Sequence, residues 1–244
     1  MSQVKQHYDA FLAEHYSWMI GSTPNEKAGE QKQLLSALGA GEAMTGLAVD
    51  LGCGPGYQSL ALRELGYQPV LAIDTSRDLV AELEAAKPDQ RIRTMIADLR
   101  DFPRWVEKGA ARIIVCMGDT LTHLASQAEV TQLYRDAYDA LAPAGLLVLT
   151  FRDLSQELVG LERVLPVRAD DQRIMTCVLE YQPTHVVVND LLHIRENGSW
   201  SLHKSSYRKL RLAPAAQIAV LLACGFSIEH ARPEARLYAI AARK

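Results

Sequence analysis

The chain has 244 residues, 48% hydrophobic and 23% charged, a composition that supplies a sizeable core and argues against disorder. That length suits one large domain, or one domain carrying an insertion, better than two. With 26 Lys and Arg against 29 Asp and Glu the net charge is −3, which speaks against a broad footprint for nucleic acid or anionic membrane and favours a small ligand.

Near the start, Tyr8, Phe11, Leu12, Tyr16 and Met19 fall at helical spacing and predict a docked apolar stripe within residues 1–22. Thr23 with Pro24 and Glu26 forms a capping box, a pattern that satisfies the free N–H groups of a helix start, and opens a helix running to Gly39. Thr75 with Asp78 opens another that ends before Pro88, and Ser126 with Glu129 a third, stopped by Pro143 and Gly145. Between them lie Val-, Ile- and Leu-rich runs at Leu47–Leu51, Val70–Ile73, Ile92–Ile96, Ile113–Cys116 and Leu146–Phe151, which predict strands buried on both faces. Strands alternating with helices give a parallel α/β sheet.

From Arg163 the helical period disappears. Arg163–Val167, Arg173–Tyr181, His185–Arg195 and Trp200–Leu212 read as an antiparallel meander, with Asn197-Gly198 supplying a type I′ hairpin turn. Pro214 then begins a helix ended by Gly225, and Phe226–His230 and Arg236–Ala242 form a last strand pair turning at Pro233. No apolar run approaches the ~20 residues of a membrane span. Lys5, Asp9 and Glu14 interrupt any secretory leader. Cys53, Cys116, Cys177 and Cys224 are far apart with no C-x-x-C pair, so a cytoplasmic protein is expected, with neither a disulfide framework nor a zinc site.

The chemistry-bearing segment is Ala48-Val49-Asp50-Leu51-Gly52-Cys53-Gly54-Pro55-Gly56-Tyr57, a buried strand passing through a glycine turn into a helix that ends at Gly66. Glycines there let backbone approach a ligand closely. Tyr57 stands where a dinucleotide fingerprint needs its third glycine, and Asp50 would repel a pyrophosphate but welcome an amine or sulfonium.

This segment resembles the first motif of the class I methyltransferases that use S-adenosyl-L-methionine and release S-adenosyl-L-homocysteine. Further stations follow in the family's order. Asp74 ends the second strand where the family's acidic residue accepts from the ribose hydroxyls, and Thr75 follows it. Asp98 and Leu99 stand where the adenine amino group and ring are read. Met117-Gly118-Asp119-Thr120-Leu121-Thr122-His123 resembles the segment beneath the methionine arm and the acceptor, and Leu141–Gly145 matches the turn before the fifth strand. The resemblance implies a Rossmann-like, seven-stranded, mostly parallel sheet with helices on both faces and an antiparallel lid over 163–212. It implies cofactor contacts from Tyr16, Asp50, Gly52, Gly54, Gly56, Asp74, Thr75, Asp98, Leu99 and Met117, and a helical cover over 1–22.

On the acceptor side, strand alternation sets Lys204, Ser206 and Arg208 opposite His203, Ser205 and Tyr207. Trp18, Arg152, Tyr207 and Arg208 are candidates for holding the acceptor. His123, Asp119 or Tyr207 would take a proton from a hydroxyl acceptor, whereas a neutral amine needs no strong base. Asp119 and His123, four apart, also have the spacing of a simple helical pair. The expected activity is methyl transfer to a small molecule by in-line displacement. Alternatives are a non-catalytic cofactor-binding or assembly subunit, an NAD(P)-dependent reductase and a polyamine synthase. The lid also offers a surface for a homodimer, and no metal is expected.

Overall fold

In the computed structural model, residues 3–41 and 45–244 are described. The first elements are α1 (Gln3–His7), a π-helical turn at Tyr8–Leu12, α2 (Ala13–Ile20) and α3 (Pro24–Ala37). Thr23 caps α3 through the predicted capping box, its hydroxyl accepting from the Glu26 N–H. Five strands then alternate with helices: β1 (Leu47–Leu51), α4 (Tyr57–Glu64), β2 (Val70–Asp74), α5 (Arg77–Ala86), β3 (Ile92–Ile96), β4 (Ala111–Cys116), α6 (Gln127–Ala140) and β5 (Leu141–Phe151). After the meander β6 (Val164–Ala169), β7 (Arg173–Tyr181), β8 (His185–Glu196) and β9 (Ser199–Leu210) come α7 (Pro214–Ala223), β10 (Ser227–Glu234) and β11 (Leu237–Arg243).

The main sheet has the order β10-β11-β5-β4-β1-β2-β3. Strands β1 to β5 pair in parallel, and β11 and β10 close the far edge antiparallel. Both faces are covered, as the continuous apolar strands require: Val49, Leu51 and Ile73 join Phe102, Leu133, Tyr134 and Leu221 on one side, while Ala48, Val70 and Ala72 join Leu35, Leu62 and Leu83 on the other. Chain order reverses between β1 and β4, and the crevice outside the carboxyl ends of such strands is where open α/β sheets hold ligands. The β6–β9 sheet is the expected lid; Asn197 and Gly198 have φ of 51° and 80°, as a type I′ turn needs.

Three local expectations are corrected. The cap of α5 is Ser76, whose hydroxyl accepts the Leu79 N–H, so Thr75 is released from that duty. Strand β3 is an edge strand, and its Ile96 is exposed, so burial on both faces fails there. The last turn lies at Ala235, with φ of 51°, while Pro233 pairs with Tyr238 in the ladder of edge strand β10, where a missing N–H is tolerated.

Candidate functional site

The glycine loop is shaped by two contacts with the end of β2. The Gly52 and Cys53 N–H groups donate to the Ile73 carbonyl at 2.8 and 3.0 Å, and the Gly54 N–H donates to Asp74 Oδ2 at 2.8 Å. Asp74 Oδ1 accepts the Ser76 N–H at 2.8 Å. Burial raises the Asp74 pKa, and the N–H groups of Ser76, Gly54 and Thr75 and the charge of Lys5 oppose that shift without cancelling it. The three glycines differ in what surrounds them. A Cβ on Gly52 would lie 2.2 Å from Thr120 Cγ2, and one on Gly56 2.2 Å from Leu83 Cδ1; on Gly54 the nearest atom is Leu79 Cδ1 at 4.0 Å. Gly52 and Gly56 are therefore glycines for packing, and Gly54 keeps an opening clear.

That opening is a cavity of about 880 Å³, counted with its mouth. Gly52, Gly54, Asp74 and Thr75 form one wall, and Ala97, Asp98, Leu99, Arg100, Leu124 and Ala125 line another part of it. Val4, Lys5, Tyr8 and Tyr16 of the N-terminal helices line it too, with Thr120 and His123 completing the lining. Burial holds the hydroxyls of Tyr8 and Tyr16 protonated, their pKa values well above the ordinary range. Asp98 is gripped by Arg100, whose Nε and Nη2 reach its two oxygens at 2.9 and 2.7 Å. That grip holds the Asp98 carboxyl below its usual pKa despite partial burial. Arg100 also donates to Glu129 at 2.6 Å. Sequence reasoning assigned no role to Arg100.

Beyond His123 lies a second polar cluster. Asp119 Oδ1 accepts the Arg152 N–H at 3.0 Å and the Thr122 hydroxyl at 3.1 Å. Its Oδ2 takes the Lys209 ammonium and lies 3.6 Å from Arg152 Nε. Burial pushes the Asp119 pKa up, but the charges of Lys209 and Arg152, with the hydrogen bond from Lys209, outweigh it, leaving the carboxyl below its usual value. The expected pairing of Asp119 with His123 along a helix is thus replaced by a pairing with Lys209. Burial first, then the nearby Lys209 charge, drive His123 down to about 3, so its imidazole is neutral. Its Nδ1 is buried with no hydrogen-bond partner, as is Arg152 Nε. Tyr207 is buried with His7 stacked on it at 4.2 Å and His123 tilted at 5.6 Å.

Several expected contacts lie elsewhere. Asp50 is buried under the loop, accepts the Ser59 hydroxyl at 2.6 Å, and is not among the cavity-lining residues. Desolvation raises it to about 7, with Ser59 opposing the shift. Met117 is packed in the core on the Ala48 side of the sheet. Trp18 donates to Asp170 at 2.5 Å and lies under the Arg173 guanidinium at 4.5 Å, docking α2 on the β6–β7 turn rather than facing the cavity. Arg208 is exposed on the opposite face of β9 from Tyr207 and donates to Gln182. His7, Asp190 and Lys209 had no assigned role; alternation along β9 already placed Lys209 on the side of Tyr207 and Ser205.

The cavity fits an adenosyl cofactor by its own features: an opening at Gly54 that a Cβ would fill, a half-buried carboxylate at Asp74, and a second carboxylate at Asp98. Residues 48–145 match the methyltransferase domain family. The glycine/sarcosine N-methyltransferase of Parasynechococcus marenigrum is 30% identical over 114 residues, which are 46% of this chain and 40% of that protein. The enzyme of the same name from Aphanothece halophytica is 29% identical over 107 residues, 43% of this chain and 40% of that one. The matched region thus spans about two-fifths of the length of these curated relatives. Among solved structures, the CcbJ methyltransferase of Streptomyces caelestis has a TM-score of 0.77 at 17% identity, covering 98% of each chain. The S-adenosylmethionine-bound amino pentose methyltransferase of calicheamicin biosynthesis from Micromonospora echinaspora has a TM-score of 0.74 at 15% identity, covering 94% of this chain and 95% of that one.

The glycine loop thus lies in a Rossmann-like sheet, within the residues that match the methyltransferase domain family. The domain match spans the glycine loop and both acidic stations, and the fold is shared from end to end with solved methyltransferase structures. No described helix is long and apolar enough to cross a membrane.

Proposed function

We propose that the protein methylates the nitrogen of a small acceptor that also carries an anionic group, such as an amino acid. When bound, S-adenosylmethionine supplies an electrophilic methyl group on a sulfonium that is already a good leaving group. Asp74, Gly54 and Asp98 would hold it, and Tyr8 and Tyr16 would exclude water above it. What remains for the protein is alignment of the nucleophile, the proximity contribution to rate.

The observation that carries the acceptor class is the charge balance behind His123. Lys209 and Arg152 set two cations against the single carboxylate of Asp119, and Arg152 Nε is buried without a hydrogen-bond partner. A carboxylate on the acceptor would complete that cluster with a charge-assisted bond. The choice of nitrogen rests on the absence of a ready base among the described groups there. His123, at about 3, is a feeble proton acceptor, Asp119 is held charged by Lys209 and Arg152, and burial keeps the Tyr207 hydroxyl protonated. A neutral amine needs no base; a hydroxyl does. The printed names of the curated relatives, glycine/sarcosine N-methyltransferases, support the same class. Four free cysteines support a reducing, cytoplasmic setting.

The test is incorporation of labelled methyl from S-adenosylmethionine across amino acids, amino sugars and phenols. Label should appear on the amine of a carboxylate-bearing acceptor, and Arg152→Ala should raise the acceptor KM about tenfold or more while kcat changes less, the pattern of lost ground-state binding. Label confined to neutral amino sugars or to hydroxyls would refute the acceptor class. Cofactor binding with no label in any pool would favour a non-catalytic subunit.

A further inference from the structure

His7 is the most deeply buried polar side chain of the N-terminal helices, at 1% exposure, and it meets an equally buried carboxylate, Asp190 of β8, at 4%. Neither belongs to the cofactor cavity or to the Asp119 cluster. Cys177, Leu179, Val186 and Val188 make much of the inner face of the lid around Asp190 apolar, with Ser205 paired opposite it. A carboxylate in such a place is costly unless it is paired. His7 Nδ1 lies 2.7 Å from the Ser205 hydroxyl, and its Nε2 lies 3.3 Å from Asp190 Oδ2 without the alignment of a directed hydrogen bond. The ring stacks on Tyr207. Through one imidazole, the first helix is thus bound to two lid strands.

The same helix walls the cofactor cavity. Val4, Lys5 and Tyr8 line it within one turn of His7. Directly after His7 the backbone changes to the π-helical turn Tyr8–Leu12, a local irregularity that recurs at functional sites. At the other end of the cover, Gly21 closes α2 with φ of 79°, a point where the chain can change direction. A cofactor lying beneath Val4, Tyr8 and Tyr16 must displace these helices to leave, and their displacement breaks the His7–Asp190 contact.

We propose that His7 and Asp190 are positioning residues that form a catch, through which the cofactor cover and the acceptor lid close and open as one unit. The inference rests on the cofactor reading of the cavity. His7 acts through Tyr8 on the cavity wall and through Tyr207 on the acceptor side. The groups facing it are Asp190, Ser205 and Tyr207 from the lid and Tyr8 and Phe11 from the cover, with His123 of the turn after β4, Lys209 and Cys177 just beyond. Burial keeps the hydroxyls of Tyr8 and Tyr207 protonated, pushes the Cys177 thiol up to about 12, and leaves His123 neutral. Loss of the polar contact between His7 and Asp190 releases the cover from the lid, so cofactor release quickens when either partner is removed.

The experiment uses the full chain and four forms: wild type, His7→Phe, which keeps the stack on Tyr207, Asp190→Asn, and the double variant. Amide hydrogen exchange over residues 3–20 should rise in each single variant while exchange in the main sheet stays put. Release of tritiated S-adenosylhomocysteine, chased with unlabelled ligand, should accelerate about tenfold in each single variant, and the double variant should release no faster than the quicker single one, as for two halves of one contact. Mere loss of packing at the two positions would instead make their effects add in the double variant. Unchanged exchange in His7→Phe overturns the catch whether or not the ligand binds. Raised exchange with unchanged or additive release rates overturns its link to the cavity. Raised exchange in the single variants, with a wild-type chain that binds no S-adenosylhomocysteine, would instead remove the cofactor reading and leave the catch standing.

Discussion

Adding a single methyl group at Gly54 separates the role of the glycine loop in binding from its role in folding. Gly54 has φ of 51°, and its added Cβ would find no atom closer than 4.0 Å. The backbone cost of alanine in that region is ~1–2 kcal/mol, a fall in melting temperature of ~2–8 °C for a chain of this size. The same Cβ occupies cavity space against which the cofactor must pack, and overpacking of that kind costs ~1–3 kcal/mol, or ~5–150-fold in the S-adenosylhomocysteine Kd. Gly56 is the control. It has φ of 91°, and its Cβ would lie 2.2 Å from Leu83 Cδ1 and 2.8 Å from Leu83 Cγ, inside the core. Strain and overpacking add there to ~2–5 kcal/mol of lost stability, several degrees beyond the Gly54 variant. Melting curves and calorimetric titration of both variants decide the matter. If Gly54→Ala melts as low as Gly56→Ala, or binds S-adenosylhomocysteine as tightly as wild type, Gly54 does not keep a ligand site open.

Asp50 sits near pKa 7 when folded and 3.8 otherwise. Between those values the folded chain holds a proton that the unfolded chain has lost, so stability falls as pH rises through that window and the loss is complete above it. Asp50→Asn keeps an acceptor for Ser59 and removes the loss, so its melting temperature relative to wild type should climb from about pH 5 to about pH 8; parallel curves would contradict this. Asp74→Ala should weaken S-adenosylhomocysteine binding by about 1.5–3 kcal/mol, the range for bonds to a charged partner, which calorimetry would register as a Kd raised by at least an order of magnitude. Lys209→Met strips the buried Asp119 of its main counter-charge and should cost ~3 kcal/mol, the low end for breaking a buried pair because both groups keep some solvent contact. Denaturant melts measure that loss, and S-adenosylhomocysteine affinity in the same variant should stay within about twofold, since Asp119 and Lys209 do not line the cofactor cavity.

The parts of the site that the sequence revealed are those fixed by local chemistry. The glycine turn, the acidic residue ending β2, the capping box at Thr23 and the N-cap at Ser126 each involve neighbours in sequence, and each stands where the pattern indicated. Thr75 heads the pattern with Asp78, whereas the cap is Ser76, whose third following residue is Leu79; the extended backbone at Ser76 decides between them. Burial of β3 depended on its place in the sheet, which residue type does not encode. The acceptor side was harder. Alternation correctly separated Tyr207 from Arg208, yet choosing Lys209 over Arg208 needed the knowledge that β9 turns its Tyr207 side toward Asp119. The contact of His7 with Ser205 spans 198 residues of chain, a separation at which no spacing rule operates.

The central claim is that the cavity between the glycine loop and the N-terminal cover holds an adenosyl ligand through Asp74 and Gly54, and isothermal titration tests it most directly. S-adenosylhomocysteine added to the wild-type chain should bind at one site per chain, NADH at the same concentration should give no comparable heat, and the Asp74→Ala chain should bind weakly. Equal heats with NADH, or no heat with S-adenosylhomocysteine at millimolar concentration, would contradict the account.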